Sequence, residues 1–130
     1  MRLIIAGLLA AGLGLPAAAQ EAPAFFRESL PQHAMGPMLQ AYKTFQGEGA
    51  ALDAKTRELI ALAVSAQIPC AYCVYAHRNS ALQLGATEAE LREAVTMAGY
   101  IRMWSTTFHG AEIDLDAFKA EHDALRAASQ

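Results

Sequence analysis

The 130-residue chain is poor in several residue types: it has 2 cysteines, 1 tryptophan and an aromatic share of 8%. Two cysteines exclude a disulfide-rich scaffold. Charge is sparse as well, at 18% of residues, and 10 basic against 13 acidic side chains leave a formal net charge of -3. That balance carries no basic footprint for nucleic acid. No stretch alternates apolar and polar residues over the length of a strand, and no apolar run reaches the ~20 residues a membrane-spanning helix needs. Repeats are lacking too, and low-complexity sequence is confined to the N-terminus. What the chain does have is apolar bulk, 54% of residues, which is too much for an intrinsically disordered chain. At roughly 100–200 residues per domain, this length holds one domain.

The apolar bulk is unevenly placed. Of the first 19 residues, 14 are hydrophobic. Met1-Arg2 gives a short positive start, Leu3 to Leu15 is apolar apart from three glycines, and Ala17-Ala18-Ala19 has the small-x-small pattern of a signal-peptidase site. The expectation is a signal peptide over residues 1–19, cleaved after Ala19, and a folded domain over 20–130. No cysteine stands near the cleavage point to take a lipid. The mature protein is therefore expected to be periplasmic or secreted, with no membrane attachment, in a compartment that keeps dithiols oxidised unless something reduces them.

The remainder reads as about five helices in an all-α domain. Met38, Leu39, Tyr42 and Phe45 recur at helical spacing over 34–46, and Gly47-Glu48-Gly49 ends that run. Asp53 is placed to cap a second helix whose Leu59, Ile60, Leu62, Ala63, Val64 and Ala66 predict burial along its length. Pro69 breaks it and suits the first turn of a third helix, from about Cys70 to Leu84, with Gly85 at the C-cap. Thr87 and Glu90 form a capping box for a fourth helix carrying Leu91, Val95, Met97 and Ala98. After Trp104 a polar interval, STTFHGAEID, is expected to separate it from a last helix near 114–128 with Leu115, Phe118, His122 and Leu125 on one stripe. Tyr72, Tyr75, Tyr100, Trp104 and Phe108 read as core or subunit-interface residues.

The chemistry gathers where the second helix hands over to the third. Cys70, Cys73 and His77 stand at i, i+3 and i+7 and share one face of a helix. A cysteine at a helix N-terminus meets unpaired N–H groups and the positive end of the dipole, which favour thiolate. His77, four residues beyond Cys73, is within reach of its proton. Glu58 interrupts the apolar second helix, where Ala61, Leu62 and Ser65 hold it near the core; a carboxylate there is costly unless paired. The break at Pro69 folds the two helices back on each other and can bring Glu58 beside His77. Three readings of the cysteines stand together: a structural staple, a redox pair, and a zinc set completed by His77 and Glu58. The very short loop between them restrains the unfolded chain little, which favours redox. Zinc lacks a second Cys-x-x-Cys or a paired-histidine element, and haem attachment is excluded because Val74, not histidine, follows Cys73. His33, His109 and His122 have no comparable register.

The run LDAKTRELIALAVSAQIPCAYCVYAHRNSALQLGATEAELREAV, residues 52–95, resembles the carboxymuconolactone decarboxylase-like superfamily and, within it, the alkylhydroperoxidase D branch. Glu58, Cys70, Cys73 and His77 reproduce that branch's spacing of glutamate, eleven residues, cysteine, two residues, cysteine, three residues, histidine. The resemblance implies an all-helical fold around an antiparallel helix pair, assembled as a homotrimer or homohexamer. It implies that Cys73 is the sulfur oxidised by a hydroperoxide, that Cys70 resolves it to an intramolecular disulfide, and that Glu58 and His77 relay the proton. An external dithiol or protein reductant would close the cycle, with no metal and no cofactor. Where familiar members carry a histidine just before the second cysteine this chain has Tyr72, a poor proton shuttle at neutral pH. Two other functions stand beside the thiol-dependent peroxidase or disulfide reductase: a non-catalytic oligomeric protein that holds a small apolar ligand and a structural disulfide, and a carboxymuconolactone-type decarboxylase.

Overall fold

The computed structural model describes residues 22–129, so the expected signal peptide over 1–19 lies outside the described residues. These residues form six α-helices and no strand. They divide into two compact units on either side of residue 50.

In the first unit, α1 (Ala24–Ser29) starts at Pro23 and α2 (Gln32–Gln46) at Pro31. Ala22 and Met35 form its buried centre, with Phe26, Leu30 and Leu39 packed around them. The six-residue α1 is too short to show a helical period, which is why the sequence pattern offers no sign of it.

The second unit contains α3 (Ala54–Gln67), α4 (Ala71–Gln83), α5 (Glu88–Gly110) and α6 (Leu115–Ala128). The Asp53 side chain accepts from the Thr56 backbone N–H at 2.9 Å and from the Thr56 hydroxyl at 2.6 Å, capping α3. Ile68 to Cys70 then reverses the chain into α4. The two helices lie alongside each other as an antiparallel pair, with the most extensive helix packing in the unit. Pro69 stands just ahead of the α4 cap rather than within its first turn, because Cys70 takes the cap position. Helix α4 ends in a Schellman motif: Ala86 N–H reaches back to the Ala81 carbonyl at 2.9 Å and Gly85 N–H to Leu82 at 3.0 Å. Gly85 sits at φ +85°, where a side chain would be strained. That turn delivers Ala86 against fully buried Ala81, and with Leu62 and Leu91 they form the core on which Leu59, Val74 and Leu82 pack.

Two expectations are corrected. Helix α3 is not buried along its length: only Glu58, Leu62 and Ser65 are buried, and Ile60 and Val64 are half exposed. One helix of a three-helix packing can cover only one side of it. Nor does the polar interval after Trp104 end α5, which continues to Gly110. Tyr100, Trp104 and Phe108 repeat every four residues and form a ladder of ring contacts, 5.8 Å and 5.2 Å between centroids. The Thr107 hydroxyl returns to the Met103 carbonyl at 2.9 Å. Packing between successive turns thus outweighs the weak helix propensity of Ser105, Thr106 and Thr107. The chain turns at Glu112, and α6, capped by Asp114, sets Phe118 against Phe108 at 5.5 Å and stacks His122 on Phe118 at 6.0 Å. Tyr72, Tyr75, Tyr100, Trp104 and Phe108 are all exposed, so none belongs to the chain's own core.

The box at the start of α5 ties it to α3. Glu90 N–H donates to Thr87 Oγ1 at 3.2 Å, Thr87 N–H donates to Glu90 Oε2 at 2.7 Å, and Lys55 Nζ donates to Glu90 Oε1 at 2.8 Å. The Lys55 bond first, and the Thr87 bonds after it, push the Glu90 carboxyl down from 4.5 to about 2. A carboxyl held below its unfolded value stabilises the fold fully above pH ~4.5, and that contribution fades as pH falls through about 2. Glu90→Gln is therefore expected to lower the urea midpoint at pH 7, with the difference from the parent shrinking steadily between pH 4.5 and 2. A difference that does not depend on pH would show that the carboxylate charge is not what stabilises this junction.

Candidate functional site

The site is assembled by the α3–α4 reversal. Glu58 sits in the second turn of α3 and His77 in the second turn of α4, so the antiparallel pair brings them face to face. The His77 Nδ1 lies 2.7 Å from Glu58 Oε2. Glu58 is 6% exposed, and His77, with 26% of its side chain exposed, opens toward the surface. An ionised carboxylate only accepts hydrogen bonds, so beside ionised Glu58 the Nδ1 atom carries the hydrogen and a neutral ring keeps the Nε2 lone pair. The burial of Glu58, costly for an unpaired carboxylate, thus has its partner. Of the two cations before it in α3, Lys55 is engaged by Glu90, and Arg57 donates to the Leu52 carbonyl.

Cys70 is the N-cap of α4, and its Sγ accepts from the Cys73 backbone N–H at 3.2 Å. The two cysteines are joined as a disulfide with Cα atoms 5.2 Å apart. Both sulfurs stand at a helix N-terminus, where backbone N–H groups and the dipole favour thiolate once the bond is opened.

Cys73 and His77 line one cavity of about 390 Å³ together with Leu52, Ile60, Val64 and Ile68. The cavity wall also includes Ser65, whose hydroxyl donates to the Ala61 carbonyl at 2.6 Å. Arg57 contributes too, its Nη1 donating to the Leu52 carbonyl at 2.6 Å. Arg57 is the member that sequence reasoning passed over. The available signal was a cation immediately before the singled-out carboxylate, on the helix that leads to the cysteines. The four predicted residues are accordingly found in one region: Glu58 on His77, Cys70 on Cys73, and Cys73 and His77 on a shared cavity. His33, His109 and His122 lie outside it. The arrangement combines an apolar cavity, a sulfur able to be oxidised or reduced, and an imidazole able to exchange a proton with solvent or substrate.

This geometry has relatives. The sequence model of the Carboxymuconolactone decarboxylase family matches residues 34–114, more than half of the chain, and the chain belongs to that family. Among solved structures it is similar to the alkylhydroperoxidase AhpD core from Rhodospirillum rubrum, with a TM-score of 0.66 and 27% identity over 75% of this chain and 73% of that one. A protein from Methanobacterium thermoautotrophicum matches with a TM-score of 0.60 and 29% identity, over 68% of this chain and 97% of that one. Among curated proteins, an uncharacterized protein of Haemophilus influenzae is 53% identical over 47 residues, covering 34% of this chain and 42% of that protein. Uncharacterized protein 4 in the cox locus of Paracoccus denitrificans is 36% identical over 59 residues, 45% of this chain and 53% of that protein. The chain spans about half the length of these curated relatives.

Because Glu58 touches His77 and not a sulfur, its expected effect on chemistry is indirect. Glu58→Gln keeps the shape and an acceptor but removes the carboxylate that orients the ring through Nδ1. In the proton relay that the family resemblance implies, a less well oriented imidazole takes the Cys73 proton less readily. If the site turns over a hydroperoxide, as proposed below, the variant is expected to lose 10- to 100-fold in kcat/KM, within the range general-base assistance provides. A parental kcat/KM in the variant would remove Glu58 from that relay.

Proposed function

We propose that this protein is a thiol-dependent peroxidase that reduces organic hydroperoxides through the Cys70–Cys73 couple. The observation that carries the reading is the convergence of a Cys-x-x-Cys disulfide at a helix N-terminus with a buried Glu58–His77 pair on one apolar cavity. Similarity to the alkylhydroperoxidase core supports it.

In the proposed cycle the Cys73 thiolate attacks the terminal oxygen of R–O–O–H. The O–O bond breaks, Cys73 becomes a sulfenic acid, and the alkoxide leaves with a proton as R–OH. His77, backed by Glu58, takes the thiol proton at the outset and returns it to the leaving oxygen. The Cys70 thiol then displaces hydroxide from the Cys73 sulfur, giving the disulfide and water. An external dithiol supplies two electrons and two protons to restore both thiols. The cycle uses no metal and no organic cofactor. The apolar wall of the cavity suits a substrate whose R group is a hydrocarbon rather than hydrogen peroxide alone.

Two further features belong to the same proposal. Assembly as a homotrimer or homohexamer is supported by the half-exposed Ile60, Val64, Met97 and Ile101 on α3 and α5, which a second copy would cover. Export to the periplasm is supported by the composition of residues 1–19.

Alkylation tests the reading against the decarboxylase reading that the family name carries. The reduced protein treated with iodoacetamide is expected to lose all hydroperoxide consumption. Lactone decarboxylation that survives alkylation, with no peroxide consumed before it, would replace the peroxidase assignment.

A further inference from the structure

The least expected side chains in the second unit are two tyrosines beside the disulfide. Tyr72 lies between the two cysteines in the chain and is 90% exposed; Tyr75, three residues on and on the same face of α4, is 74% exposed. Neither side chain has a hydrogen bond or ring contact among the described residues. The surrounding sequence is uncharged: from Leu59 to Ala76 there is no Asp, Glu, Lys or Arg. Cys70 and Cys73 are the chain's 2 cysteines and both are in the disulfide. Electrons that open it therefore come from a thiol outside this chain, brought within bonding distance of a sulfur next to Tyr72. A partner surface that does so meets Tyr72, and rigid exposed aromatics with few rotamers are the side chains that most often anchor such contacts.

We propose that Tyr72 and Tyr75 form the docking face for a protein dithiol, a Cys-x-x-Cys protein whose reactive sulfur is ringed by uncharged apolar side chains. The proposal rests on the peroxidase reading only for the source of the disulfide. A partner thiolate attacks Cys70 Sγ and the Cys70–Cys73 bond breaks. Cys73 leaves as thiolate on the cavity that it shares with His77, while a mixed disulfide joins Cys70 to the partner. The partner's second thiol, losing its proton, displaces Cys70. Two electrons and two protons pass to Cys70 and Cys73, and the partner departs as a disulfide.

The test follows reduction of the oxidised full chain by reduced bacterial thioredoxin, with dithiothreitol as the small dithiol and no peroxide present. The double variant Tyr72→Ser/Tyr75→Ser is expected to lose at least tenfold in the second-order rate with thioredoxin while its rate with dithiothreitol stays within twofold. Tyr72→Phe/Tyr75→Phe should retain the parental rate with both. Equal rates for the serine variant and the parent, or no reduction of the parent by thioredoxin, would overturn the proposal. So would a parallel fall with both reductants, or a change in the serine variant's solution mass, which would place the tyrosines at a contact between copies. Failure of the peroxidase reading shows separately, as absent peroxide consumption with dithiothreitol.

Discussion

Cys73→Ser is expected to abolish hydroperoxide consumption, with a fall of at least about 1,000-fold that leaves only the uncatalysed background. The serine hydroxyl stays protonated at any pH at which the protein is folded, so neither the α4 N-terminus nor His77 can turn it into a nucleophile comparable to a thiolate. The substitution removes the sulfur without removing the site: Cys73 is in the first turn of α4, its backbone N–H stays available to the residue at the cap, and the Glu58–His77 bond is untouched. Loss of the disulfide should leave the fold in place, because a ring closed over a sequence separation of 3 contributes only roughly 2 kcal/mol on chain-entropy grounds. Far-ultraviolet circular dichroism should accordingly be unchanged. A variant that is fully helical and still consumes peroxide at the parental rate would show that the nucleophile is elsewhere.

Cys70→Ser is expected to separate the two halves of the cycle. The reduced variant should consume one equivalent of hydroperoxide per chain and stop, with Cys73 held as a sulfenic acid that a cyclic diketone traps. The parent, treated alike, should close its disulfide and give no adduct. With a protein dithiol as reductant, steady-state turnover of the variant should fall by at least about 100-fold, because no intramolecular thiol remains to displace hydroxide. The contrast depends on which cysteine faces the cavity. Cys73 lines it with His77, while Cys70, at the cap, does not. If the serine at position 70 left turnover intact and the serine at 73 gave the trapped adduct, the two roles would be reversed.

How far the site could be read in advance follows from which interactions are local. The α4 register of Cys70, Cys73 and His77, the Asp53 cap and the Thr87–Glu90 box all depend on residues within one or two turns of one another, and each is visible as a spacing. The meeting of Glu58 with His77 is long-range, 19 residues apart, but a single short reversal at Ile68 to Cys70 determines it. The pairing of Lys55 with Glu90 and the exposure of Ile60 and Val64 depend on how α5 crosses α3, which no spacing encodes. The same holds for α5 itself. Ser105, Thr106 and Thr107 look like a loop by propensity, and only the ring ladder from Tyr100 to Phe108 carries the helix through them. The tyrosines beside the disulfide read as core or subunit interface; their exposure on α4 excludes the core of the single chain and leaves the interface reading in place.

The most direct test of the central claim, that Cys70 and Cys73 form a working redox couple, is the midpoint potential of that disulfide. It is obtained by equilibrating the full chain in dithiol buffers of known ratio and counting free thiols. A working couple should titrate well above about -300 mV, in the range of roughly -180 to -270 mV where dithiol enzymes exchange electrons. A midpoint below about -300 mV would mark the bond as a structural link that cellular reductants leave closed, and would contradict the account.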